Sequence, residues 1–132
     1  MYAPAVPSFR PLILVVDDSP TVLLVAWHAL TDEGYDVVTA ADGQGAISVV
    51  LGLRTPPDPV ITDLRMPIVP GEVLAAWLTQ NYPQVPVIFI SGFPEDPDII
   101  LPGPLLEKPF TPAALCQVAR AVLKRVSPTA AP

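Results

Sequence analysis

The sequence predicts a three-layer α/β domain, a five-stranded parallel sheet with helices on both faces. Three observations lead there. Short apolar runs of strand length alternate with longer segments at helical spacing, the pattern of right-handed βαβ units. Two of those runs, residues 12–16 and 86–90, are apolar throughout, as strands are when helices cover both sheet faces. Finally, 132 residues with 51% hydrophobic and 15% charged side chains suit one domain with one core and argue against disorder.

Each element follows from local chemistry. "LILVVDD" (12–18) is a strand-length apolar run stopped by two acids. "SPTVLLVAWHALTDEG" opens with Ser19 as N-cap and Pro20 at the first helical position, and stops at Gly34. "YDVVTA" (35–40) is the second strand, and "DGQGAISVVLGL" (42–53) a helix loosened by Gly43 and Gly45. "DPVITD" (58–63) is the third strand and "GEVLAAWLTQNY" (71–82) the third helix; of Trp77 and Leu78, one should face the sheet. "VPVIFIS" (85–91) and the short "PLLEK" (104–108) complete the strands. "TPAALCQVARAVLKRV" (111–126) is the last helix, capped by Thr111, with Pro112 inside and Leu115, Val118, Ala119 and Val122 on one stripe. The proline-rich stretch between Ser91 and Lys108 leaves little room for a helix after the fourth strand, so that helix is expected to be short or missing. Residues 1–10 and 127–132 read as flexible tails around a domain at 11–126.

Composition excludes several functions. The net charge is −6 and the seven basic residues do not cluster, which speaks against nucleic-acid binding. A single cysteine, Cys116, forbids an internal disulfide and fits a reducing compartment. No run reaches the ~18 apolar residues of a membrane span. The first residues lack the charged and apolar regions of a signal peptide, so a cytoplasmic location without membrane attachment is expected.

In sheets of this kind the ligand site lies beyond the carboxyl ends of the strands. Those ends carry Asp17 and Asp18 (first strand), Asp63 (third), Ser91 (fourth) and Lys108 (fifth). A lone acid at a strand end is usually a helix cap or a solvated charge. All five such groups at the ends of alternate elements, in this order, are a strong joint signal of a site. Carboxylates with open water positions suit Mg²⁺, and an Asp beside that metal can attack a phosphoryl group whose charge the hydroxyl and ammonium share.

"ILVVDDSP", "ITDLRMPIVPG", "VIFISG" and "LLEKPF" resemble the four signature blocks of response-regulator receiver domains, the CheY-like family, over about residues 11–126. The resemblance implies a flavodoxin-like strand order 2-1-3-4-5. It also implies that Asp63 accepts phosphate from a sensor histidine kinase or a histidine phosphotransfer protein. Mg²⁺ would be held by Asp18, Asp63 and the backbone carbonyl of Arg65, with Asp17 assisting through water. Ser91 stands at the switch position, Gly92 leaves room for the phosphoryl group, Lys108 is the phosphate-binding lysine, and Pro109 follows a cis peptide. Slow hydrolysis of the aspartyl phosphate is expected, but not an enzyme activity in the usual sense.

Departures from the family concern output. The aromatic of strand five is replaced by Leu105, so the usual inward rotation behind Ser91 is expected to be altered. The shortened fourth helix changes the face the family commonly uses for output. A subgroup with a Phe-Ala-Thr-Gly-Tyr-like block, and receivers fused to hybrid kinases, are similar in these respects, and there Phe93 would carry signalling. In the first helix, 3–4 spacing turns Val22, Val25, Ala26 and Ala29 to the sheet and Leu23, Leu24 and Trp27 outward. That apolar face is expected to contact the phosphodonor or a second copy of the chain. His28 reads as a surface residue and Cys116 as packed and inert. The competing reading is a pseudo-receiver that binds proteins without phosphorylation. An aspartyl phosphatase is disfavoured because Arg65 stands where a second acid would be needed.

Overall fold

The computed structural model describes residues 10–92 and 100–126. Among these residues nine elements follow in order: β1 Leu12–Val16, α1 Pro20–Asp32, β2 Asp36–Ala40, α2 Gly43–Gly52, β3 Val60–Asp63, α3 Gly71–Asn81, β4 Val87–Ser91, β5 Leu105–Glu107 and α4 Pro112–Val126. The strands form one parallel sheet in the order β2-β1-β3-β4-β5, as expected. Residues 100–104 are not helical, and four helices are present among the described residues. Residues 1–9 and 127–132 of the expected tails, and Phe93, lie outside the described residues.

Alternation along the strands builds two cores. Leu14, Val16, Val60, Val87 and Phe89 point to one face, where α2 and α3 cover them with Ala46, Val50, Leu74 and Leu78. Ile13, Val15, Ile61, Ile88 and Ile90 point to the other, against Ala26, Ala29 and Leu30 of α1 and Leu115, Ala119 and Val122 of α4. The central strands β1, β3 and β4 are apolar up to the residues at their carboxyl ends because nearly every position is interior to one core or the other, whereas the edge strands β2 and β5 leave Asp36, Thr39, Leu105 and Glu107 exposed.

Ser19 and Thr111 cap their helices as expected, and Asp42 caps α2 in the same way. Ser19 Oγ accepts from the Val22 N–H at 3.3 Å, Asp42 Oδ1 from the Gly45 N–H at 2.6 Å, and Thr111 Oγ1 from the Ala114 N–H at 3.0 Å. Gly34 ends the first helical segment with φ +98°, a value that suits glycine. Leu78 enters the core, while Trp77 packs half-buried against it with its ring 5.7 Å from that of Tyr82. Cys116 is buried with its thiol donating to Ala29 O at 3.4 Å, and burial pushes the thiol pKa up.

The phase of α1 differs from expectation. Ala26, Ala29 and Leu30 form its buried face, flanked by Val22 and Leu23, which pack half-buried on the core. Leu23 is therefore not part of an outward face; Val25 takes that place beside Leu24 and Trp27. Leu30, one turn after Ala26 and beside Ala29, pulls the apolar stripe round by one residue. Leu24 and Trp27 are exposed as expected, at 58% and 41%.

Among the described residues two X–Pro peptides are cis, Lys108–Pro109 as expected and Asp58–Pro59. Asp58, just before β3, buries its Oδ1 without a hydrogen-bond partner, and burial raises its pKa from 3.8. An acid with a folded pKa above its unfolded one costs stability once ionised, and nothing below the unfolded value. Asp58→Asn is thus expected to stabilise the fold at neutral pH by about 1 kcal/mol, the low end for one unsatisfied buried polar atom. The gain should vanish near pH 3, where both side chains are neutral. Thermal melts at the two pH values check this, and equal melting temperatures at neutral pH would refute it.

Candidate functional site

The strand ends are stepped. Val16, the last residue of β1, pairs with Thr62; Asp63, the last of β3, pairs with Ile90; Ser91, the last of β4, pairs with Glu107. The ladder continues one residue into each loop. The Asp17 N–H donates to Ala40 O (3.2 Å), the Leu64 N–H to Ile90 O (2.9 Å) and the Lys108 N–H to Ser91 O (2.8 Å). The rim residues are therefore placed by the sheet and not by free loops.

Asp17 is fully buried. Its Oδ1 accepts the Ser19 N–H at 2.8 Å, so the same carboxylate that faces the site also turns the chain into α1. Its Oδ2 faces Lys108 Nζ at 2.8 Å, an ion-pair contact outside aligned hydrogen-bond geometry, and has no other partner. Asp63, 4% exposed, accepts the Arg65 N–H on Oδ1 at 3.2 Å and Lys108 Nζ on Oδ2 at 3.3 Å. Thr62 Oγ1 donates to the Asp63 carbonyl at 3.0 Å. Asp18 is exposed at the mouth, and Asp17, Asp18 and Asp63 each offer an oxygen within 4.8 Å of the others.

Electrostatics follow from burial. Burial raises the Asp17 pKa above 3.8, with the Lys108 ammonium pulling the other way. For Lys108, burial favours the neutral amine, but the Asp17 and Asp63 carboxylates outweigh it and leave the pKa above 10.5. The two shifts oppose each other for the state of the pair. At 2.8 Å the contact decides: the lysine is protonated at neutral pH and holds the buried carboxylate charged.

Asp17, Asp18, Asp63 and Lys108 are thus brought together, with Ser91 buried at the end of β4. A Cβ on Gly92 would rest 3.5 Å from Lys108 Cδ, so this glycine lies directly against the lysine stem. Arg65 presents its side chain to solvent while its N–H holds Asp63. Leu105, three residues before Lys108, is 38% exposed and fills no interior place behind Ser91. Beside the rim, Val22, Val25, Gly92, Lys108, Pro109 and Phe110 line a largely apolar groove of about 390 Å³. It adjoins the exposed part of α1. Two supporting residues were not anticipated: Thr62, whose signal was a hydroxyl inside an apolar strand, and the Ser19 N–H, which left no signal beyond the cap.

A family model described as response regulator receiver domain matches residues 13–120. The alkaline phosphatase synthesis transcriptional regulatory protein PhoP of Bacillus subtilis (strain 168) is 31% identical over 125 residues, 91% of this chain and 51% of that protein. The chain thus spans about half the length of that relative. Among solved structures, a response regulator receiver domain protein from Clostridium thermocellum superposes with TM-score 0.81 at 26% identity, covering 89% of this chain and 97% of that one. The chemotaxis response regulator CheY4 of Vibrio cholerae gives TM-score 0.78 at 28% identity, covering 87% and 100%.

Proposed function

The chain belongs to the response-regulator receiver domain family, and from that membership we propose that it is a phosphoacceptor switch, taking a phosphoryl group onto Asp63 from the phosphohistidine of a sensor kinase or phosphotransfer protein. The observation that carries this reading is the convergence of three carboxylates within 4.8 Å with one ammonium on two of them. A pure binding module has no use for so costly a cluster. The donor set fits Mg²⁺: hard oxygens only, and one buried oxygen, Asp17 Oδ2, lacking an aligned donor. Asp18, Asp63 and the Arg65 carbonyl would hold the ion, with Asp17 behind them, and when bound it supplies charge neutralisation for phosphoryl transfer.

The residues divide the work. A carboxylate oxygen of Asp63 forms the new P–O bond as the P–N bond to the donor histidine breaks. Lys108, held by Asp17 and already touching Asp63, stabilises charge on the transferring oxygens without having to move far. The Ser91 hydroxyl and the space over Gly92 receive the phosphoryl group. At 4% exposure Asp63 admits little water, so self-dephosphorylation is slow and the chain is not an enzyme in the ordinary sense. The exposed Leu24, Val25 and Trp27, next to the apolar groove, form the surface that meets the donor or a second copy of the chain. Output passes through protein contacts that do not use a buried strand-five aromatic, since Leu105 stands there exposed. Among the described residues no helix is long and apolar enough to cross a membrane, and the proposed location is the cytoplasm.

Intact mass after incubation with acetyl phosphate and Mg²⁺ tests the proposal. One phosphoryl adduct is expected on the wild type, and none on Asp63→Ala or after chelation of the metal. An unlabelled wild type would instead favour the phosphorylation-independent interaction module.

A further inference from the structure

Residues 64–70 join β3 to α3 in a closed loop, because the Gly71 N–H donates to Leu64 O at 3.0 Å. Within it the Val69 N–H donates to Pro67 O, two residues back, at 2.7 Å, and Ile68 between them has φ +71°. That combination is the positive-φ γ-turn, a rare and strained form. Glycine adopts it freely, whereas a residue branched at Cβ adopts it worst. Ile68 is nonetheless the one non-glycine residue with positive φ among the described residues. The Ile68 side chain itself recovers none of the cost. Met66 is buried and Val69 packs on the core, but Ile68 is 92% exposed. Strain of this kind clusters at functional sites; an exposed aliphatic side chain alone is ordinary, as Ile100 and Leu51 show, but here it stands on the strained residue itself.

Which molecule is set by position. Asp63 is 4% exposed and opens only beyond the strand ends, so any phosphodonor must descend onto this rim. Ile68 follows Asp63 by five residues, a reach of at most about 18 Å even if extended, in a loop that returns on itself. We propose that Ile68 is a specificity-determining anchor, an apolar knob that seats in a hollow beside the phosphohistidine of the donor protein. This inference rests on Asp63 being the phosphoacceptor.

Ile68→Gly and Ile68→Asn both tolerate positive φ, so the turn survives and only the apolar knob is lost. Two donors separate its role from the chemistry. One is acetyl phosphate. The other is the purified, autophosphorylated kinase or phosphotransfer domain that, within a panel, transfers fastest to the wild type. The ratio of kcat/KM for the protein donor to the rate with acetyl phosphate should fall about tenfold in both variants, the loss expected for one buried aliphatic side chain. Neither variant should melt below the wild type. An unchanged ratio overturns the proposal. So does a lower melting temperature in both variants, which would make Ile68 a residue of the fold. A changed oligomeric state on sedimentation with an unchanged ratio would assign the knob to a second copy and equally overturn it. If neither donor labels the wild type, the phosphoacceptor reading fails first and takes this inference with it.

Discussion

Lys108→Met is expected to lose about 2–3 kcal/mol of stability at neutral pH, below the full cost of breaking a buried ion pair because Lys108 sits near the rim. The lost partner is Asp17, which has no exposed surface and keeps only the Ser19 N–H once the ammonium is gone. Methionine retains the stem's apolar packing, so the change reports charge. The pH dependence has a defined sign. Burial already holds the Asp17 pKa above 3.8, and removing Lys108 removes the group that opposes this. Ionised Asp17 then costs more, while protonated Asp17 costs nothing extra. The gap between variant and wild type should accordingly narrow as pH falls from about 7.5 to about 5, because the variant's Asp17 takes up a proton on folding. Denaturant melts at both pH values measure it. Equal stability at neutral pH would mean that Lys108 is not what keeps Asp17 charged. The adduct on Asp63 should also be lost or slowed severely, since the same ammonium lies 3.3 Å from Asp63 Oδ2.

Gly71→Ala should be as damaging, for a steric reason. A Cβ there would collide with the Asp63 carbonyl oxygen and lie 2.9 Å from Leu64 Cα, and both are backbone atoms with little freedom to give way. Glycine is required by this close approach of α3 to the end of β3. The expected cost is about 3 kcal/mol, the upper part of the range for overpacking, or a melting temperature lower by roughly 10 °C. Because the displaced atoms belong to Asp63 itself, labelling by acetyl phosphate should slow together with the loss of stability. A variant that melts with the wild type would show that the helix start can shift freely. The contrast with Gly92 is useful: a Cβ there makes only an ordinary 3.5 Å contact with a flexible lysine stem.

The strands and the polar residues at their carboxyl ends were legible because each signal was local. A run such as "VITD" states both that it is interior and where it stops. Ser19 and Thr111 declared the starts of their helices by cap chemistry. The phase of α1 was less legible. With Val22, Leu23, Leu24, Val25, Ala26 and Trp27 in succession, apolar residues occur on every side, and only packing against α4 decides which are interior. Leu23 was misplaced for that reason. The Asp17–Lys108 contact joins residues 91 positions apart, and its geometry exists only once β1 and β5 are set in the sheet. Ile68 was invisible for the opposite reason: β-branched residues predict extended backbone, so nothing in its identity announces positive φ.

The stepped strand ends carry a consequence for how this domain can change length. From β1 to β3 to β4 each strand stops one residue further along its neighbour, and Asp17, Asp63 and Lys108 meet only because those steps are kept. One residue added or removed within β3 would send Asp63 to the opposite face of the sheet. The connections on the far side of the sheet bear no such constraint. Changes of length are therefore better tolerated in those connections than within the strands that set the rim.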